Sequence, residues 1–130
     1  MACILIIDDD EQVRKVLRLT LIAAGFDVVE AQDGKIAMKI FQKNPEVDLV
    51  ITDLIMPEKE GIETIIELRR DFPEIPIIAI SGGGRIDPND YLYLAKKLGA
   101  HKTLEKPFSR KEIIDAVNEL LLSQGNNSKG

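Results

Sequence analysis

Five side chains of this 130-residue chain could together do chemistry: Asp8, Asp9, Asp53, Ser81 and Lys106. Two like charges about 4 Å apart repel by roughly 4 kcal/mol at an effective dielectric of about 20. Three carboxylates gathered in one pocket therefore need compensation, and a divalent cation supplies it. Magnesium takes hard oxygen ligands, keeps several waters, and accepts phosphate as a further ligand. Lys106 adds a mobile positive charge and Ser81 a hydroxyl. Metal, ammonium and hydroxyl around one carboxylate make a site for an oxyanion. Phosphoryl transfer needs in-line placement and charge neutralisation. A carboxylate can itself be the acceptor, giving an aspartyl phosphate.

Taken singly, these residues have plainer readings. Asp8-Asp9-Asp10 resembles a helix N-cap cluster, because aspartate is favoured at that position and in the first turn. Asp10 is assigned to the cap and left out of the metal site. Asp53 alone reads as a turn residue before Met56-Pro57. Gly82-Gly83-Gly84 lacks the spacing of a phosphate-binding loop and reads as a flexible segment beside Ser81. Lys96-Lys97 reads as a solvated helix face, His101 as a surface residue, and Cys3 as an inert residue in or near the core.

What lifts the five above these readings is their place in the chain. Short aliphatic runs alternate with amphipathic stretches five times. The runs are Ile4–Ile7, Val28–Val29, Leu49–Ile51, Ile77–Ile80 and a weaker one at Thr103–Leu104. Each reads as a buried strand. The first helical pattern puts Val13, Val16, Leu17, Thr20, Leu21 and Ala24 on one face and stops at Gly25. The second opens at Asp33, carries Ile36, Ala37, Ile40 and Phe41, and ends at Pro45. The third carries Ile62, Ile65, Ile66 and Leu68 and ends at Pro73. The fourth opens at Asp87-Pro88, an N-cap followed by a first-turn proline, carries Tyr91, Leu94, Ala95 and Leu98, and closes at Gly99. The fifth opens with the Ser109/Glu112 capping box and buries Ile113, Val117, Leu120 and Leu121. Residues 123–130 read as a frayed polar tail, which sets one domain over 1–122.

This alternation implies an α/β fold, a doubly wound parallel sheet with five helices over its two faces. Strands one, three and four are the most continuously aliphatic and belong in the centre. Strands two and five carry charges and belong at the edges. The order 2-1-3-4-5 satisfies both, and it is flavodoxin-like. Ligands in such sheets sit beyond the carboxyl ends of the strands at the switch point. Asp8 and Asp9 follow strand one, Asp53 ends strand three, Ser81 ends strand four and Lys106 follows strand five. The sheet therefore predicts that they converge.

Composition agrees with a single soluble domain. Apolar residues make up 45% and charged residues 30%, ordinary globular values. The formal charge of −5 argues against nucleic acid as a direct partner, because counterion release needs clustered Lys and Arg. A lone Cys3 permits no internal disulfide. No apolar run approaches the ~20 residues of a membrane span, and the start MACILIIDDD lacks the basic region of a signal peptide.

Four segments, ILIIDDDEQVR, DLVITDLIMPEKEG, IIAISGGG and LGAHKTLEKPF, occur in that order. Together they resemble a response-regulator receiver domain of two-component signalling, of the chemotaxis-regulator type, over about residues 3–122. The resemblance implies that Asp53 is the phosphoacceptor, with Lys106 and Ser81 acting on the phosphoryl group. It implies that Asp9, Asp53 and the Ile55 backbone carbonyl bind Mg²⁺ directly and Asp8 mainly through water. It implies a cis Lys106–Pro107 peptide. The expected donor is a phosphohistidine on a sensor histidine kinase or a histidine phosphotransfer protein. Such a domain assists its own aspartyl phosphorylation and dephosphorylation without being a turnover enzyme, and is cytoplasmic. The expected output face combines the fourth helix, fifth strand and fifth helix, with Tyr93, Lys97 and Glu105, and addresses a partner or an attached output domain.

Three positions depart from the family pattern. Thr103 stands where an aromatic is usual, so an output that does not depend on an aromatic rotamer is expected. The stretch from Ser81 to Lys106 is a few residues longer than usual, and its glycines imply backbone freedom. Ile55 is apolar where a polar side chain often faces the hydrolytic water, and Gly83 offers none, so slow self-dephosphorylation is expected. Two rival readings fit less well. A phosphatase working through an aspartyl phosphate needs a second carboxylate two residues after the nucleophile, where Ile55 stands. A flavin-binding module needs a Ser/Thr/Gly-rich loop after strand one, where Asp8-Asp9-Asp10 would repel phosphate.

Overall fold

The computed structural model describes residues 2–43, 46–54, 60–81, 96–97 and 99–129. The aliphatic runs form β1 (Cys3–Ile7), β2 (Asp27–Ala31), β3 (Val47–Asp53), β4 (Ile77–Ser81) and β5 (Lys102–Glu105). They build one parallel sheet of order β2-β1-β3-β4-β5. The order follows from polarity, as expected. The residues of β4 and all but one of β1 are buried, whereas β2 and β5, with their charges, take the edges.

Four helices cover the sheet among the described residues: α1 (Glu11–Ala23), α2 (Gly34–Lys43), α3 (Glu60–Asp71) and α4 (Arg110–Lys129). The fourth helical pattern of the sequence falls between β4 and β5. It lies outside the described residues apart from Lys96 and Lys97, which are helical and exposed. The helix opened by the Ser109/Glu112 capping box is therefore α4. Its box is formed as expected: the Glu112 amide donates to Ser109 Oγ at 3.0 Å and the Ser109 amide to Glu112 Oε1 at 3.2 Å. Asp10 caps α1, accepting from the Gln12 amide at 2.8 Å. Asp33 caps α2, accepting from the Ile36 amide at 2.9 Å.

Side chains along a strand alternate between faces, so the sheet splits the core in two. Leu5, Ile7, Val50, Ile77 and Ala79 pack against Ala37 and Phe41 of α2 and Ile65 and Leu68 of α3. Ile4, Ile6, Leu49, Ile51, Ile78 and Ile80 pack against Leu17 and Leu21 of α1 and Ile113 and Val117 of α4.

The helical faces differ from the sequence pattern at three residues. Val16 is 59% exposed; it lies at the margin of a stripe centred on Leu17, Thr20 and Leu21. Ala24 is exposed because it caps α1 where the chain turns away. Ile66 is 45% exposed because α3 buries Thr64, Ile65 and Leu68 instead. That rotation aims Thr64 at α2. A Cβ on Gly34 would lie 2.2 Å from Thr64 Oγ1, so only glycine permits this approach. Gly34→Ala is expected to destabilise the chain by about 1–3 kcal/mol through overpacking. Urea unfolding checks this, and an unchanged midpoint would contradict the close contact. A fourth difference is at the C-terminus: the backbone stays helical to Lys129, beyond the boundary at 122 set by polar composition. Polar residues and a lone Gly125 weaken helix propensity but carry no proline to stop the hydrogen-bond ladder.

His101 is more than a surface residue. Its Nδ1 accepts from the Ile77 amide at 3.1 Å, and Arg69 Nη2 lies 3.1 Å from the same atom. Burial first, and the Arg69 cation second, hold its pKa below the ordinary value. Arg69 also donates to the carbonyls of Pro73 and Gly99, tying α3 to the chain entering β5. Gly99, at φ 124°, leaves room for this guanidinium. Cys3 is half-buried, and its amide donates to Asp48 Oδ2.

Candidate functional site

The carboxyl ends of the strands are held level by main-chain hydrogen bonds that continue past the ladders. The Asp8 amide donates to the Ala31 carbonyl at 3.1 Å, Leu54 to Ile80 at 2.9 Å, and Lys106 to Ser81 at 2.7 Å. Asp8, Asp53, Ser81 and Lys106 therefore reach one rim of the sheet.

Asp8, Asp9 and Asp53 each present a carboxylate oxygen within 4.8 Å of the others. Asp8 and Asp53 are buried, and Asp9 is exposed at the mouth. Lys106 Nζ stands 3.3 Å from Asp53 Oδ2 and 3.8 Å from Asp8 Oδ2. The Lys106–Pro107 peptide is cis, as the resemblance implied. Asp8 Oδ1 accepts from the Asp10 amide at 2.8 Å. Burial, opposed by that hydrogen bond and reinforced by Asp53, pushes the Asp8 pKa up to about 7.

Of the three buried side-chain atoms without a hydrogen-bond partner among the described residues, two belong to this site: Asp8 Oδ2 and Ser81 Oγ. Burying such groups unpaired costs free energy, and each asks for something different. A carboxylate oxygen with no donor is ready for a cation. A hydroxyl with no acceptor is ready for an oxyanion. The all-oxygen donor set fits a hard divalent ion such as Mg²⁺ better than a softer metal.

Four of the five side chains singled out in the sequence are thus brought together with the fifth, Asp9, at the entrance. Ile55, whose carbonyl was expected to complete the metal contacts, lies outside the described residues, as do Gly82–Gly84 and Tyr93. Thr103 lines an open groove of about 380 Å³ between β5 and α4, with His101, Leu104, Glu112 and Ala116. Sequence reading missed Arg14, whose Nη1 donates to the Asp8 carbonyl at 2.6 Å. The only signal was its place inside the ILIIDDDEQVR segment.

The sequence family described as Response regulator receiver domain matches residues 4–118. The transcriptional regulatory protein CpxR of Klebsiella pneumoniae is 34% identical over 118 residues, which cover 91% of this chain and 48% of that protein. A probable transcriptional regulator, ycf27, of Porphyridium aerugineum is 36% identical over 91% of this chain and 47% of its own length. The chain thus spans about half the length of these curated relatives. A response regulator receiver domain protein from Clostridium thermocellum superposes with a TM-score of 0.88 at 29% identity, covering 96% of this chain and 98% of that one. Among the described residues, no helix is long and apolar enough to cross a membrane.

Proposed function

The chain belongs to the response regulator receiver domain family, and from that premise we propose that it is a phosphoacceptor switch whose acceptor is Asp53. The observation that carries this reading is the pairing of buried Asp53 with the Lys106 ammonium at 3.3 Å, beside two carboxylates without which no cation would be needed. A carboxylate oxygen of Asp53 forms the new P–O bond. The P–N bond of a donor phosphohistidine breaks, and its electron pair stays on the imidazole. The donor is a sensor histidine kinase or a histidine phosphotransfer protein. Lys106 neutralises charge on the transferred group, and Ser81 Oγ turns its hydroxyl to a phosphoryl oxygen.

Mg²⁺, held by Asp9, Asp53 and the Ile55 carbonyl with Asp8 acting through water, would supply charge neutralisation for the incoming phosphoryl oxygens. Phosphorylation adds a dianionic group to the rim of the sheet and biases a two-state equilibrium. The fourth helical segment before Gly99, β5 and α4 form the output face, with Tyr93, Lys97 and Glu105. Because Thr103 is not aromatic, the signal passes through loop and backbone shifts. The domain covers 1–122, with the rest of α4 extending past it to Lys129, and works in the cytoplasm on a partner or an attached output domain. It assists its own phosphorylation and slow dephosphorylation.

Incubating the chain with acetyl phosphate and Mg²⁺ and measuring its mass tests the proposal. A gain of one phosphoryl group is expected, and Asp53→Asn should abolish it. Equal gain in the variant would overturn the assignment of Asp53.

A further inference from the structure

Arg14 has no part in the chemistry above, yet it touches the main chain of the acidic pocket. It lies one turn into α1. Its Nη1 donates to the Asp8 carbonyl at 2.6 Å and its Nε to Glu30 Oε1 at 3.3 Å. Glu30 is on β2, and its other oxygen accepts from Arg18 Nη1 at 2.7 Å. On the far side of the same residue, the Asp8 amide donates to Ala31. Asp8 is therefore gripped at both its amide and its carbonyl, and the carbonyl is the half of the peptide that leads into Asp9. The Arg14 side chain is only 16% exposed, so these bonds are largely sheltered from water. A planar guanidinium can hold a carbonyl and a carboxylate at once; an ammonium cannot do so in the same geometry.

We propose that Arg14 is a positioning residue for Mg²⁺: it fixes the Asp8–Asp9 peptide so that both carboxylates face one point, and Glu30 holds Arg14 in place. The inference rests on the acidic pocket being the Mg²⁺ site. A contrary account is available from charge alone. A cation beside an acidic pocket repels Mg²⁺, so its removal would tighten binding. Positioning predicts the opposite sign.

Titration of the full chain with Mg²⁺, followed by calorimetry or by amide NMR shifts at Asp8 and Asp9, separates the two. Arg14→Ala is expected to weaken Mg²⁺ binding about tenfold, the scale of a lost outer partner of a metal ligand. Glu30→Ala should weaken it in the same direction by less. Arg14→Lys should recover only part of the loss. Urea midpoints taken on the same samples show whether each variant folds, and if Arg14→Ala does not, Arg14→Lys decides, because it keeps the charge and loses the two-partner grip. Unchanged or tighter binding in the folded variants would overturn the positioning role. Asp9→Asn should abolish binding; if it does while Arg14→Ala binds normally, only the role of Arg14 fails. A wild-type chain that binds no Mg²⁺ would overturn both.

Discussion

Without metal, the chain should lose stability as the pH rises from about 4 to about 7, and Asp8→Asn should remove most of that loss. The Asp8 carboxyl is raised from 3.8 to about 7, first by burial, against the Asp10 amide bond that lowers it, and with Asp53 raising it further. The folded chain therefore keeps a proton on Asp8 that the unfolded chain releases. Where the native state binds more protons, stability falls with rising pH. The favourable contribution is complete below the unfolded value and is gone once the pH passes the folded value. A shift of about three units corresponds to on the order of 4 kcal/mol, and Asp8 is buried enough for little solvent screening. Urea unfolding in a chelator should show Asp8→Asn near wild type at pH 4 and more stable by a few kcal/mol at pH 8. Parallel curves for the two proteins would refute the assignment. Mg²⁺ favours the ionised form, so it should flatten the wild-type profile and release protons on binding near pH 6.

Lys106→Met should move metal binding and phosphoryl uptake in opposite directions. The ammonium offsets the negative charge of Asp53 and, at greater distance, of Asp8. Its removal leaves two buried carboxylates facing each other. Breaking a buried pair on one side costs about 3–5 kcal/mol. Lys106 is 26% exposed, so a smaller loss of about 1–3 kcal/mol is expected for the metal-free chain at pH 8. The same removal abolishes a cation that competes with Mg²⁺, so binding should tighten by at least about tenfold, given several kcal/mol between neighbouring charges at moderate dielectric. The rate of phosphoryl uptake from acetyl phosphate should nevertheless fall on the order of a hundredfold, as for loss of one preorganised group that stabilises transition-state charge. Mg²⁺ affinity equal to wild type, with uptake unchanged, would remove Lys106 from the site.

The strand order was legible because burial on both faces demands continuous aliphatic runs, and only Ile4–Ile7, Leu49–Ile51 and Ile77–Ile80 supply them. Charges in Asp27–Glu30 and Lys102–Glu105 marked the edges for the same reason. Once the order was fixed, Asp8, Asp53, Ser81 and Lys106 had to share a rim, and they do. Asp10, Asp33 and Ser109 were legible because capping is local chemistry. The rest depended on contacts between distant segments. Ile66 turns outward because Thr64 seeks Gly34 across the α2–α3 contact, which no periodicity in α3 contains. His101 reads as a solvated residue until Ile77 is seen donating to it across 24 positions. The partners of Arg14, Glu30 on β2 and the Asp8 carbonyl just past β1, lie outside α1, so the spacing along α1 says nothing of its task.

The level strand ends have a consequence for when the molecule becomes competent. The three bonds that align the rim join Asp8 to Ala31, Leu54 to Ile80, and Lys106 to Ser81, so the pocket is drawn from nearly the whole length of the polypeptide. A chain leaving the ribosome exposes Asp8 and Asp53 well before Lys106 has been synthesised, and contacts so distant in sequence form only as the domain folds as a unit. A half-made or misfolded copy thus holds the Asp53 carboxylate but not the rim around it. If Asp53 is the acceptor as proposed, competence at this site is in this way a proof of completed folding.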